Sequence, residues 1–404
     1  MHRPSLYCKL PHAKSQAFVP WFDPSTEEEM DVKDRSTHGH YDRVRCLHRG
    51  AGGVAGMAQQ PCLGPGHHRF GLYHYREHRC RRVEYRRRLL PERSHNGGQH
   101  QHCGRRVQGG AKARDTIQFS LGQGATIVLK KRLPAITDTS GLTILGGTTA
   151  NIIVSGNGKV GVFVERKGAQ LDLRNLTVAD GFANGKNPGG DIGGGIKNNG
   201  GTLKVIRSTF SGNNALAIGG GIANINGGNV TVKNSTFSGN RAGSAGGGIL
   251  NGGKLRVSYS TFSRNDAELA GGGIQNANQR GVTLSLSSTV LANSAQGNIN
   301  NVCAAGTCRG KIVDGGYNIS DDASYRFPAN TSKIRTNPRL DPGGLEDNGG
   351  PTGTIALQTS SPAINSVPKS TNGCGTSTSI DQRDVHRPQG KRCDAGAFER
   401  KLRR

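Results

Sequence analysis

Cleaving a glycosidic bond by hydrolysis needs two carboxyl groups about 5–9.5 Å apart. Cleaving it by elimination needs carboxylates to hold calcium and a basic residue beside them. On a rod built from stacked repeats, either set must sit at equivalent places in neighbouring copies. Asp172, Asp180, Asp191, Asp266 and Glu268 do not: each occupies a different place in its repeat. Asp172 aligns with Lys204, Thr231 and Arg256, and Asp266 aligns with Asn214 and Arg241. A Ser/His/Asp arrangement fails as well, because of 13 histidines only His386 lies beyond Asp115. No catalytic residue and no cofactor is expected. Five of the nine cysteines (Cys8, Cys46, Cys62, Cys80 and Cys103) share the first 114 residues with the other histidines. They lack the paired C-x2-C and H-x3-H spacing of a zinc site, so no metal is expected. The run from Arg79 to Arg88, with Tyr73, Tyr75 and Tyr85 nearby, has the charge to meet phosphates and the rings to stack on bases. The alternative is a plain solvated basic arm, and nucleic acid is not the expected partner.

The elements that would carry these residues can be read from composition. The chain has 404 residues, 62 of them glycine, with 33% hydrophobic and 5% aromatic residues and a net charge of +25. That much glycine argues against a helix bundle, since each interior glycine costs a helix roughly 1 kcal/mol. No window approaches the ~20 apolar residues of a membrane-spanning helix. Charge density roughly halves after residue 114. Residues 1–114 show no hydrophobic period, and their apolar residues are too scattered to bury a core. This predicts a basic, disordered arm.

A repeat organises the middle of the chain. Gly-Gly-Gly-Ile begins at Gly193, Gly219, Gly246 and Gly271, and an asparagine stands two residues after each isoleucine: Asn198, Asn224, Asn251 and Asn276. Ser-Thr-Phe or Ser-Thr-Val begins at Ser208, Ser235, Ser260 and Ser288. Pairs such as Leu203/Val205, Val230/Val232 and Leu255/Val257 alternate with period 2, and Phe210, Phe237 and Phe262 stand five residues on. Leu284, Leu286 and Leu291 fit with a one-residue slip against Ser288. Period 2 means strand, and the change of phase before each phenylalanine means a corner. One unit of about 26 residues is thus one coil of a parallel β-solenoid. Neighbouring coils pair at about 4.8 Å, so seven or eight coils make a rod of roughly 35 Å. Apolar residues stack inside, Lys204, Lys233 and Arg256 point outward, and the four asparagines are expected to form a hydrogen-bonded ladder. A β-propeller blade needs ~40 residues, more than this unit has.

The Gly-Gly-Gly-Ile-x-Asn and Asn-Ser-Thr-Phe-Ser-x-Asn units resemble the polymorphic outer-membrane-protein-type repeats of bacterial right-handed parallel β-helices. Residues 315–399 resemble the tail domain called choice-of-anchor Q. The strings are Gly315–Ile319, Asp347–Thr352, Ser361–Ile364, Asp381-Gln382-Arg383, Arg387-Pro388 and Cys393–Glu399. Asp384 departs from the glycine usual after Asp-Gln-Arg, and no apolar anchor segment stands after Glu399. Read one base out of frame, residues 89–103 permit Cys-Ser-Leu-Arg-Glu-Ala and then Ala-Ala-Asn-Thr, a segment that opens many such proteins. It stands where it should, before Asp115-Thr116-Ile117-Gln118-Phe119. Residues 1 to about 112 are therefore read as a wrong-frame translation.

The organisation expected is a basic arm over 1–114, parallel β-helix repeats over 115–300 and a loop-rich C-terminal cap over 301–404. The resemblance implies export to the cell surface, outer membrane, periplasm or medium, although no signal peptide is visible in Met1–Pro20. Cys303, Cys308, Cys374 and Cys393 agree with an oxidising compartment. Four cysteines allow three connectivities, and 303–308 with 374–393 would close short loops. The function expected is a non-catalytic exported β-helix, structural or adhesive, meeting surface glycans or other surface proteins. The alternative is a polysaccharide lyase or glycoside hydrolase on the same rod.

Overall fold

The computed structural model describes residues 114–147, 151–185, 190–303 and 307–401, together with the backbone of four strand segments: Glu28–Lys33, Tyr41–Cys46, Gly71–Arg76 and Arg79–Val83. Two of these segments pair antiparallel with the first coil, Glu28–Lys33 against Thr126–Leu129 and Gly71–Arg76 against Asp115–Ser120. The side chains of the basic run, the histidine-rich stretch and the shifted-frame segment lie outside the described residues.

From Asp115 the chain winds through about seven turns of a parallel β-solenoid with three main sheets. The first sheet runs from Asp115–Ser120 through Gln170–Arg174, Thr202–Ile206, Asn229–Lys233, Lys254–Ser258 and Thr283–Ser287 to Lys311–Asp314. The second includes Thr177–Ala179, Thr209–Ser211, Thr236–Ser238, Thr261–Ser263 and Val290–Ala292. The third includes Phe163–Glu165, Ile196–Asn199, Ile222–Ile225, Ile249–Asn251, Ile274–Asn276 and Ile299–Asn301. Two-residue strands such as Asn214–Ala215 and Arg241–Ala242 form a narrow fourth. The one helical turn among the described residues is Thr371–Gly373.

The register is the one that the repeat dictates. Leu203 pairs with Val230 and Val230 with Leu255, so like residues meet in files. All three are 2% exposed or less. Phe210, Phe237 and Phe262 stack face to face with ring centroids 4.7 Å apart, which is the spacing of the coils themselves. Parallel strands in strict register force this near-sandwich geometry, although isolated rings prefer an offset or an edge.

The corner between the first and second sheets is one residue in the left-handed region: Asn175, Arg207, Asn234, Tyr259 and Ser288, with φ from 46° to 55°. That residue is the change of phase seen in the sequence. It also explains the slip at Ser288. Thr261 pairs with Val290, so Thr289 takes the place of Ser208, Ser235 and Ser260, while Ser288 takes the corner.

Each glycine of the triplet answers a different constraint. The first, as Gly219, has φ 69°. A Cβ on the second, Gly220, would stand 2.3 Å from the Arg241 carbonyl oxygen. A Cβ on the third, Gly221, would stand 2.5 Å from the Gly248 carbonyl oxygen and 3.2 Å from the Phe237 ring. The triplet thus lets the third sheet close over the phenylalanine file.

The C-terminal region covers the rod in two places. Tyr325 and Phe327, edge to face at 5.4 Å, pack against the core, as does Ile312 in the last strand of the first sheet. Residues beyond about 340 turn back and lie along the flank, on the outer side of the second sheet. Gln382 ties the two together: its amide nitrogen donates to Thr209 Oγ1 and Thr352 Oγ1 at 2.8 Å, and its oxygen accepts from Thr236 Oγ1 at 2.7 Å. Thr209 Oγ1 donates to the Gly353 carbonyl, the Ala397 amide donates to Thr261 Oγ1, and Arg207 pairs with Asp384. Asp384 has φ 68°, a left-handed conformation that glycine adopts without strain.

Candidate binding face

Every asparagine of the Gly-Gly-Gly-Ile-x-Asn units is fully buried on the third sheet. Each donates its amide nitrogen to the next coil's amide oxygen: Asn198 to Asn224 at 2.9 Å, Asn224 to Asn251 and Asn251 to Asn276 at 2.8 Å, and Asn276 to Asn301 at 2.9 Å. The second amide proton goes to a turn carbonyl, as from Asn224 to Gly228 at 3.0 Å. These groups hold the turn shut and are not open to a ligand.

A second ladder lies where the sequence shows only a polar turn. Asn213 donates to Asn240 Oδ1 and Asn240 to Asn265 Oδ1, both at 2.9 Å. The same amides donate to the Val178 and Phe210 carbonyls, and all three residues are fully buried. The signal is present in the chain: Asn213, Asn240 and Asn265 all stand three residues after the repeat phenylalanine.

Glu165 is a carboxyl that the sequence did not single out. It pairs with Asn198 in the third sheet and so occupies the head of the first ladder. It is fully buried, and burial pushes its carboxyl up to about 8. The amides of Thr202 and Leu171 offset part of this rise, though neither makes a well-formed bond to it. A Cβ on Gly201 would stand 2.5 Å from Glu165 Oε1, just as one on Gly228 would stand 2.4 Å from Asn224 Oδ1. The carboxyl therefore fills an asparagine's place.

The motif strings of the tail converge on one buried network. Arg387 Nη1 lies 2.9 Å from Glu399 Oε2 and also donates to the Asp394 carbonyl. Arg387 Nη2 donates to the Gly396 carbonyl. Arg383 donates to Asp381 Oδ2 from Nε and Nη2, and its guanidinium lies 3.5 Å over the Phe398 ring. Burial raises both Glu399 and Asp394, with Arg387 acting in the opposite sense. Asp381 and Glu399 are nine-tenths or more buried and bonded to arginine and backbone, so this carboxylate cluster is structural.

Cys303 is bonded to Cys308, and Cys374 to Cys393. The second bridge is buried and closes the loop that carries Gln382, Arg383 and Arg387. Replacing both Cys374 and Cys393 by serine is expected to cost the tail about 3 kcal/mol, from the entropy of a loop of this length. Limited proteolysis should then release the flank segment at a lower temperature while the coils stay protected. Simultaneous loss of both would mean that tail and rod fold as one unit.

Among the described residues no cluster of His, Cys, Asp and Glu is arranged to hold a metal ion, and no helix is long and apolar enough to cross a membrane. The outer side of the second sheet is occupied by the tail. On the third sheet, Ala223 and Gln275 are buried in the outward file. The outer side of the first sheet is open. Lys204, Thr231, Arg256 and Ser285 succeed one another along one file, and Asn229, Lys254, Thr283 and Lys311 along the next. At one end a shallow depression of about 390 Å³ is lined by Arg114, Thr143, Leu145, Asp172, Arg174 and Lys204. Asp172 is taken up there: Arg174 donates to both its oxygens, at 3.0 and 2.7 Å.

No family model matches the chain, and no curated protein or solved structure matches it either.

Proposed function

We propose that this chain is an exported, non-catalytic β-helix that acts as a structural or adhesive rod at a bacterial cell surface. The observation that carries the reading is the open outer side of the first sheet. There, polar and charged side chains repeat at the coil spacing over the length of the rod, whereas a single enclosed pocket would suit one small substrate. Two disulfides support an oxidising compartment. The resemblance to polymorphic outer-membrane-protein-type repeats and to a choice-of-anchor Q tail supports the surface.

The carbohydrate-active alternative has one observation in its favour, the depression that gathers Asp172, Arg174 and Lys204. Both oxygens of Asp172 are already engaged by Arg174, which leaves that carboxylate poorly placed for calcium or for proton transfer. The test is to incubate the purified full chain with a panel of neutral and acidic polysaccharides and to measure retention and new chain ends together. Retention without new reducing ends or unsaturated sugars is expected. Turnover that disappears in Asp172→Asn would overturn the reading in favour of the enzyme.

A further inference from the structure

We propose that the outer face of the first sheet binds an acidic polysaccharide, an extended polymer carrying uronate carboxylates, laid along the rod axis. The inference rests on the reading of the chain as a binding rod and names the class of its ligand.

Past Asp172, which Arg174 engages, charge on this face is one-sided. From Thr202 to Val313 its outward positions include Lys204, Lys233, Lys254, Arg256 and Lys311 and no acid. Lys233 is already engaged, donating to the Ser377 carbonyl of the tail. Lys204, Lys254, Arg256 and Lys311 are exposed, and no carboxylate among the described residues lies within salt-bridge distance of them. Two other coil arginines do have acid partners: Arg174 meets Asp172 near the start of this face, and Arg241 meets Asp266 and Glu268 on the narrow fourth sheet. Four uncompensated charges on one flat face cost self-repulsion unless an anion meets them.

The spacing selects the anion. Lys204 and Arg256 lie two coils apart in one file, as do Lys254 and Lys311 in the next, which at about 4.8 Å per coil puts charges about 9.6 Å apart along the axis. That is a sparse rhythm, suited to a polymer that turns an acid toward the face at every second sugar. The coils between present Thr231, Asn229, Ser285 and Thr283, which can donate to and accept from sugar hydroxyls. A nucleic-acid strand carries a charge every ~3.4 Å and gains affinity by stacking bases on aromatic rings. The outward positions of this face between Thr202 and Val313 carry no aromatic residue.

The experiment titrates the full chain with polygalacturonate, with a neutral glucan of similar length and with single-stranded DNA of matched charge, at low and high salt. The face variant is Lys204→Gln with Lys254→Gln and Arg256→Gln. The control removes the same charge elsewhere, by Lys159→Gln, Lys369→Gln and Lys391→Gln. Polygalacturonate is expected to bind at low salt and to weaken as salt screens the contacts. At about two- to fivefold per exposed charge pair, removal of three charges should weaken binding of the face variant by about 8- to 125-fold and leave the control unchanged. Circular dichroism of both variants checks that the rod is intact. Absence of polygalacturonate binding, equal loss in the control, or tighter binding of the DNA would each overturn the proposal. Binding of the neutral glucan alone would sink this inference and leave the adhesive reading standing. Cleavage of the uronate polymer would sink the adhesive reading, while a loss specific to the face variant would still place the ligand here.

Discussion

Replacing Asn224 by alanine is expected to destabilise the rod by about 2–6 kcal/mol. The change leaves one buried Asn198 amide proton without a partner, at about 1–3 kcal/mol. It also removes a hydrogen bond, at about 0.5–1.5 kcal/mol each, from the Gly228 carbonyl and the Asn251 amide oxygen, which keep the Lys254 and Gly253 amides as donors. The same change at Asn301, the half-buried last rung, should cost only about 1 kcal/mol, because water can replace the lost contacts there. Chemical denaturation of the two variants against the parent measures the contrast. Equal losses at both positions would show that the ladder contributes as a turn former only. A disturbance that stays local, visible as hydrogen exchange confined to the coils beside Asn224, is also expected of a chain whose stability is a sum over neighbouring repeats.

Stability is expected to fall as pH rises through neutrality, and Glu165 is the main source. Burial raises its carboxyl from 4.5 to about 8, so between those values the folded protein holds a proton that the unfolded chain has released. The stabilisation is fully present below pH 4.5 and is lost as pH climbs through the folded value. At ~1.4 kcal/mol per pH unit the loss amounts to roughly 3–5 kcal/mol across the window. Glu399 acts in the same sense, because its carboxyl is also raised. Glu165→Gln keeps the shape and removes the ionisation. It should flatten the profile without abolishing it, and it should be more stable than the parent above pH 8. Denaturation midpoints at pH 5.5, 7 and 8.5 decide the matter. A profile unchanged by Glu165→Gln would mean that water reaches this carboxyl or that the coil opens locally to admit it.

The coil, its register and the inside and outside of its strands are all written in the periodicity of the chain. Leu203, Val230 and Leu255 can be placed in one file because a repeat of about 26 residues brings like residues together at every turn. The same arithmetic ranks Asp172 with Lys204, Thr231 and Arg256. Interactions between neighbouring coils are short in repeat units, and they leave a period that can be counted. The second ladder is equally periodic, but Asn213 in Ser-Gly-Asn-Asn reads as a turn, and only burial shows that its side chain points inward. Glu165 cannot be placed from the sequence at all, since its coil lacks the Gly-Gly-Gly-Ile signature that aligns the others. The position of the tail belongs wholly to the three-dimensional fold. Gln382 meets Thr209 and Thr236 across 173 and 146 residues of chain, and no period links them. That placement, by covering the second sheet, decides which face of the rod is left open to a partner.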